Sequence, residues 1–143
     1  MPEKLRLGMI GGGQGAFIGA VHRIAARIDD RYELVAGCLS SSADKAMASA
    51  KEIGIDSNRC YPDYKSMAAA EASRADGIEV VSIVTPNHMH ASPAIEFIKK
   101  GIHVICDKPL TATMEEAKEL HSCLLYTSDA ADDTPCVDLC GRR

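Results

Sequence analysis

Two apolar rhythms alternate along the chain. Short β-branched runs at residues 5–10, 33–38, 78–84 and 102–106, with a weaker one at 59–61, are separated by longer segments whose apolar positions recur every three or four residues. That order predicts a parallel sheet whose strands are joined by helical crossovers. The runs lack strict apolar and polar alternation, as expected of strands covered on both faces.

The first helical segment carries Ala20, Val21, Ile24, Ala25 and Ile28 on one stripe, with Arg23 and Arg27 elsewhere, so the stripe is predicted to pack on the sheet. The second is predicted to take Ser42 as its N-cap, bury Ala43, Ala46, Met47, Ala50 and Ile53, and stop at Gly54. A third starts near Pro62. The fourth is expected to use Ser92 as N-cap and Pro93 as its first residue, and to end at Lys99, Lys100 and Gly101. In the fifth, Thr113 and Glu116 have capping-box spacing, and Met114, Ala117 and Leu120 start a stripe. Right-handed crossovers then give an α/β fold, a doubly wound parallel sheet with its ligand crevice at the carboxyl ends of the strands.

Composition narrows the class. A chain of 143 residues, 46% hydrophobic and 25% charged, has ordinary globular make-up and the length of one domain. No apolar run nears the roughly 18 residues a membrane helix needs, and the N-terminus lacks a basic segment followed by an apolar one, so no membrane partner and a cytoplasmic location are expected. Net charge is -4; Asp129, Asp132, Asp133 and Asp138 against Arg142 and Arg143 account for -2 of it. With no basic stripe interleaved with aromatics, nucleic acid is not an expected partner. Cys38, Cys60 and Cys106 in the body and Cys123, Cys136 and Cys140 near the end show no C-x-x-C spacing, which favours reduced thiols over a disulfide framework or zinc site.

Candidate chemistry follows the strands. After the first comes "GGGQGAFIGAVH", where Gly11, Gly13 and Ala16 match the dinucleotide fingerprint and Gln14 and Gly15 lie in the same turn. Gly19 offers another register, with the helix starting one turn later. After the second come Ser40, Ser41 and Ser42, then Lys45; small polar residues with a nearby cation leave room for a ribose 2'-phosphate, which favours NADP over NAD. Capping the next helix is the simpler role for the serines. After the fourth run, Thr85, Pro86 and Asn87 form a stiff turn, followed by His88 and His90, whose H-x-H spacing lacks the companions a metal would need. After the fifth, Asp107 and Pro109 flank Lys108, which is placed to take part in proton transfer. His22 and His103 read as structural.

Taken together, "LGMIGGG", "AVH", "VSIVTPNHMHASPA" and "GIHVICDKPLTATMEEAKEL" resemble the N-terminal half of the glucose-fructose oxidoreductase, inositol dehydrogenase and MocA family over about residues 5–122. The resemblance implies a Rossmann domain that binds NAD or NADP, in an oxidoreductase acting on a hydroxyl or keto group of a sugar, cyclitol or related polyol. It also implies a homo-oligomeric full-length protein. Carried over, Gly11 and Gly13 would lie under the pyrophosphate and Ser40 and Ser41 near the adenosine ribose. Thr85, Pro86, Asn87 and His90 would line the cofactor crevice, and Lys108 would be the catalytic-site lysine. Asp107 stands where the family usually has Glu, and the glycine turn is about three residues longer if Gly19, Ala20, Val21 and His22 match the family's Gly-x-x-His.

The family's substrate domain has no counterpart here, and neither has the sixth strand of its nucleotide-binding sheet. The closing "CLLYTSDAADD" and "VDLCGRR" resemble one reading frame of a transposase adapter used to prepare DNA sequencing libraries. Residues 1–122 are therefore expected to be an incomplete dinucleotide-binding domain and residues 123–143 a disordered, adapter-derived tail, with the fragment itself inactive. Two rival classes share parts of the pattern: a non-catalytic cofactor-binding sensor, which has no need of Lys108, and a methyltransferase, which predicts an acidic residue after the second strand.

Overall fold

A computed structural model describes residues 3–128. Its elements run β1 (Leu5–Gly11), α1 (Phe17–Ile28), β2 (Tyr32–Cys38), α2 (Ala43–Ile53), α3 (Tyr64–Ala72), β3 (Val80–Val84), α4 (Ala91–Lys99), β4 (His103–Cys106) and α5 (Met114–Ser128). The strands form a parallel sheet in the order β2-β1-β3-β4. The run at 59–61 contributes one bridge, Cys60 to Gly37, on the outer side of β2. It is too short to make a ladder, because a turn of 3-10 helix (Ser57–Arg59) precedes it and Asp63 caps α3 three residues later.

Strand order reverses between β1 and β3. On one face Ile10, Val81 and Ile83 pack against Met67 and Ala68 of α3, Ala94 and Phe97 of α4 and Leu120 of α5. On the other, Met9 and Val84 meet Leu39, Ala50 and Ile55, with Ile18 of α1 and Ile53 of α2 against them. The helices thus segregate, α1 and α2 on one side and α3 to α5 on the other, as right-handed crossovers on either side of a switch point require.

The ends of the helices follow local rules. Gly54 closes α2 at φ +82, and Thr113 with Glu116 makes the expected reciprocal cap: Glu116 N–H donates to Thr113 Oγ1 (3.2 Å) and Thr113 N–H to Glu116 Oε2 (3.1 Å). Asp63 caps α3 through Ser66 N–H at 2.8 Å. Helix α4 starts two residues earlier than predicted, at Ala91 with His90 as N-cap, because His90 is pinned by contacts described below.

The interior differs from the pattern-based expectation in three places. The α1 stripe faces outward: Val21, Ile24 and Ile28 are exposed, and Gly19 is the one buried residue of the helix. A Cβ on Gly19 would lie 2.3 Å from Gly12 Cα, so the closest approach of helix to sheet is at a glycine, and that contact sets the rotation of α1. On α2, Ala46, Ser49 and Ala50 are buried while Ala43 and Met47 are exposed. Helix α5 runs through residue 122 to Ser128, and Cys123 and Leu124 pack on the core as continuations of the Ala117 and Leu120 stripe, so the expected disorder does not begin at residue 123. The rest of the expected tail, residues 129–143, lies outside the described residues.

Candidate functional site

The carboxyl ends of β1 and β3 lie side by side, Gly11 paired with Val84, at the point where strand order reverses. An open α/β sheet binds its ligands there, because the loops part in opposite directions and leave a crevice. Four loops border it: residues 12–16 after β1, 39–42 after β2, 85–90 after β3 and 107–113 after β4.

The glycine loop is held from behind. Gly11, Gly12 and Gly15 have φ of +78, +73 and +81. Gly11 lies against Thr85, where a Cβ would be 3.1 Å from Thr85 Cγ2, and a Cβ on Gly13 would be 2.6 Å from Leu39 O. The β1 loop therefore touches both the β3 and the β2 loops. Arg23 donates to Gly12 O at 2.7 Å, Gln14 N–H to Ser49 Oγ at 2.9 Å, and the Gln14 amide to Glu52 at 2.9 Å. Both Gln14 donors are thereby turned toward α2.

A Cβ on Gly15 would meet nothing within 4 Å, so the outer rim of the turn is open. The N-cap of α1 is Ala16, with no side-chain cap and no acidic residue in the first turn. Uncapped N–H groups at a helix start beside an open glycine turn suit an anion such as a pyrophosphate, and the residues present fit a dinucleotide. A cavity of about 350 Å³ is lined by the whole glycine loop, residues 12–16, with flanking residues of α1 and α2, and has no lining residue from the β3 or β4 loops.

The other two loops are locked together. Thr85 Oγ1 donates to Met89 O at 2.9 Å, closing the turn that holds Pro86, Asn87 and His88, all exposed. Asp107 N–H donates to Ile83 O at 3.0 Å, which brings the start of the Asp107–Lys108–Pro109 loop to the end of β3. The Lys108–Pro109 peptide is cis. Lys108 and Pro109 are exposed, Asp107 half-buried. Ser40 Oγ accepts from Ser42 N–H at 3.2 Å, and Ser41 is exposed beside it.

His90 departs from its expected place. It is fully buried, and its ring nitrogens lie 2.7 Å from Pro109 O and 2.7 Å from Thr85 O. Its polar atoms are spent on the protein, so it stands behind the crevice wall rather than in it. His22 also connects the site: Nδ1 is 2.9 Å from Ser82 Oγ, and Nε2 is 3.7 Å from Asp107 Oδ1. His22, expected to be structural, stands half-buried on α1.

The thiols nearest the crevice are unreactive in character. Burial pushes Cys106, at the end of β4, up to about 11, with the Asp107 charge adding to it; burial likewise raises Cys38, at the end of β2, to about 11, with smaller contributions from Asp63 and Cys60. Among the described residues no group of His, Cys, Asp and Glu could hold a metal ion, and no helix is long and apolar enough to cross a membrane.

The comparisons with known proteins agree with this geometry. Residues 5–128 match the family model described as an oxidoreductase family with an NAD-binding Rossmann fold. An uncharacterized oxidoreductase, YfiI, of Bacillus subtilis is 44% identical over 119 residues, covering 82% of this chain and 30% of that protein. Levoglucosan dehydrogenase of Pseudarthrobacter phenanthrenivorans is 32% identical over 83% of this chain and 30% of its own length. Among solved structures, an oxidoreductase from Sinorhizobium meliloti superposes with a TM-score of 0.82 at 61% identity, covering 85% of this chain and 34% of that one. An inositol dehydrogenase homolog from Azotobacter vinelandii, solved with NADH and myo-inositol, superposes with a TM-score of 0.85 at 38% identity, covering 90% and 34%. The chain thus spans about a third of the length of these relatives. With its switch-point glycine loop and the match over residues 5–128, the chain belongs to the glucose-fructose oxidoreductase, inositol dehydrogenase and MocA family of NAD-binding oxidoreductases.

Proposed function

We propose that this chain is the dinucleotide-binding part of a dehydrogenase that moves a hydride between a nicotinamide cofactor and a hydroxyl-bearing carbon of a sugar, inositol or related polyol. The observation that carries this reading is the meeting of two loops at the switch point: an open glycine turn leading into an uncapped helix, and a lysine loop tied to the end of β3. The substrate class draws support from relatives named for levoglucosan and inositol.

In this reading Gly11, Gly13 and Gly15 lie under the pyrophosphate, with Gln14 shaping the turn through its contacts to α2. Ser40 and Ser41 face the adenosine ribose, and Thr85, Pro86, Asn87, Asp107 and Pro109 border the nicotinamide side. When bound, the nicotinamide supplies the two-electron hydride acceptor. Lys108 hydrogen-bonds the reacting oxygen and assists removal of its proton as the hydride leaves carbon. The absence of a carboxylate at residues 39–42, with Lys45 one turn into α2, favours NADP, because a ribose 2'-phosphate would meet no like charge there.

Titration of the present chain with NADPH and NADH, followed by nicotinamide fluorescence, tests the first part. The expected result is saturable binding with NADPH tighter by about tenfold, ~1.4 kcal/mol. Absence of binding to either overturns the site. The chemistry is tested by sequencing the native locus past codon 122 and assaying the product of any in-frame extension for polyol-dependent reduction of NADP+ and NAD+. Lys108→Ala is expected to abolish turnover and to spare cofactor binding; unchanged turnover removes the role given to Lys108. A protein that binds cofactor but turns over no polyol would be a sensor.

A further inference from the structure

The one fully buried histidine in the described residues has two hydrogen-bond partners, and both are backbone carbonyl oxygens. The oxygens are Thr85 O and Pro109 O, each 2.7 Å from a ring nitrogen, so the ring stands between two of the loops that border the crevice.

We propose that His90 is a positioning residue whose buried ring, 2.7 Å from a carbonyl oxygen of each turn, clamps the Lys108–Pro109 turn to the Thr85 turn. The two carbonyls come from different strand ends, and no backbone ladder joins the loops beyond Asp107 N–H to Ile83 O. One side chain therefore sets the spacing between the loop that carries Lys108 and the loop that carries Asn87. The placement of His90 explains its N-cap role as well: its own carbonyl accepts from Ala94 N–H at 3.1 Å, so α4 begins where the clamp is anchored.

The clamp itself stands on geometry alone; its value for turnover rests on the reading of Lys108 given above. Amide exchange on the present chain tests it without an activity assay. In His90→Gln, whose amide cannot span both carbonyls, exchange at Asp107, Ala112 and Thr113, the loop amides with hydrogen bonds of their own, is expected to quicken by about tenfold, the equivalent of one lost hydrogen bond, while Ile78 at the other end of the sheet exchanges as before. Unchanged exchange at the three loop amides overturns the clamp. If His90→Gln fails to fold, His90→Asn read by the same exchange decides. Faster loop exchange in a variant of a chain that binds no dinucleotide supports the clamp and overturns the functional reading instead.

Discussion

Two buried polar side chains, Glu71 and His90, stand at opposite ends of the same sheet. Glu71, at the end of α3, accepts from Arg59 Nε (3.1 Å), Arg59 Nη2, Tyr61 OH (2.8 Å) and Ile78 N–H (3.1 Å), so every lone-pair direction of the carboxylate has a donor. Arg59 reaches further, to Asp76 O at 3.1 Å, and together they tie the bridge residue's segment, α3 and the entrance of β3 into one knot. His90 does the mirror task between two carbonyls at the exit of β3. The difference lies in what is being held. At the amino ends of the strands the Glu71 knot joins α3 to the entrance of β3; at the carboxyl ends the same kind of saturation holds loops that border a crevice. A buried polar group thus acquires its consequence from its place in the topology rather than from its chemistry.

The amino end of the sheet should respond most strongly to substitution. Glu71→Ala takes the buried carboxylate from Arg59 and leaves it the exposed Asp76 carboxylate at 3.7 Å, and is expected to cost about 3–5 kcal/mol, enough to unfold much of the population; urea titration followed by circular dichroism reads it. A loss below about 1 kcal/mol would show that the knot is not what holds that end. The crevice end responds next: Gly19→Ala drives a Cβ toward Gly12 Cα and is expected to cost about 1–3 kcal/mol, with loss of dinucleotide binding in the variant that remains folded. Binding kept at full strength would separate the rotation of α1 from the phosphate site.

Alkaline pH should weaken the knot by a smaller amount. Burial, and then its hydrogen bond to Glu71, pushes the Tyr61 phenol from 10 up to about 12. The folded pKa lies above the unfolded one, so Tyr61 contributes stability that is complete below pH 10 and lost as pH climbs through about 12. Tyr61→Phe is expected to flatten this alkaline decline in thermal melts, and an unchanged slope would remove Tyr61 from the knot. The smallest expected change is chemical. Cys38 and Cys106, both raised to about 11, should alkylate at pH 8 far more slowly than in the denatured chain, as mass spectrometry after iodoacetamide would show. Fast labelling of Cys106 would mean that the floor of the crevice end opens readily.

Much of this arrangement was legible along the chain because its causes are local. Runs of β-branched residues specified β1, β2, β3 and β4 to within about two residues at each end, Gly54 stopped α2, and Thr113 with Glu116 started α5. Glycines after β1 and the Thr85–Pro86–Asn87 and Asp107–Lys108–Pro109 turns marked where chemistry would sit, since crossover handedness alone sends strand ends to one side. Those residues act through backbone freedom or its restriction, which a short window of sequence contains.

Tertiary structure decided the rest. The α1 stripe pointed at solvent rather than the sheet, because one glycine-to-glycine contact outweighed the periodicity of the larger side chains in setting the helix rotation. The run at 59–61 shrank to a bridge, His90 moved from crevice lining to buried clamp, and Glu71, in an alanine-rich helix, turned inward to Arg59. Each depends on partners distant along the chain: His90 on a carbonyl 19 residues away, Glu71 on Arg59 12 residues back, Gly19 on a loop that must first be folded over β1. Periodicity and motifs report what a segment prefers by itself, whereas the valence of a buried polar atom is filled only when segments meet, and that is settled by packing in three dimensions.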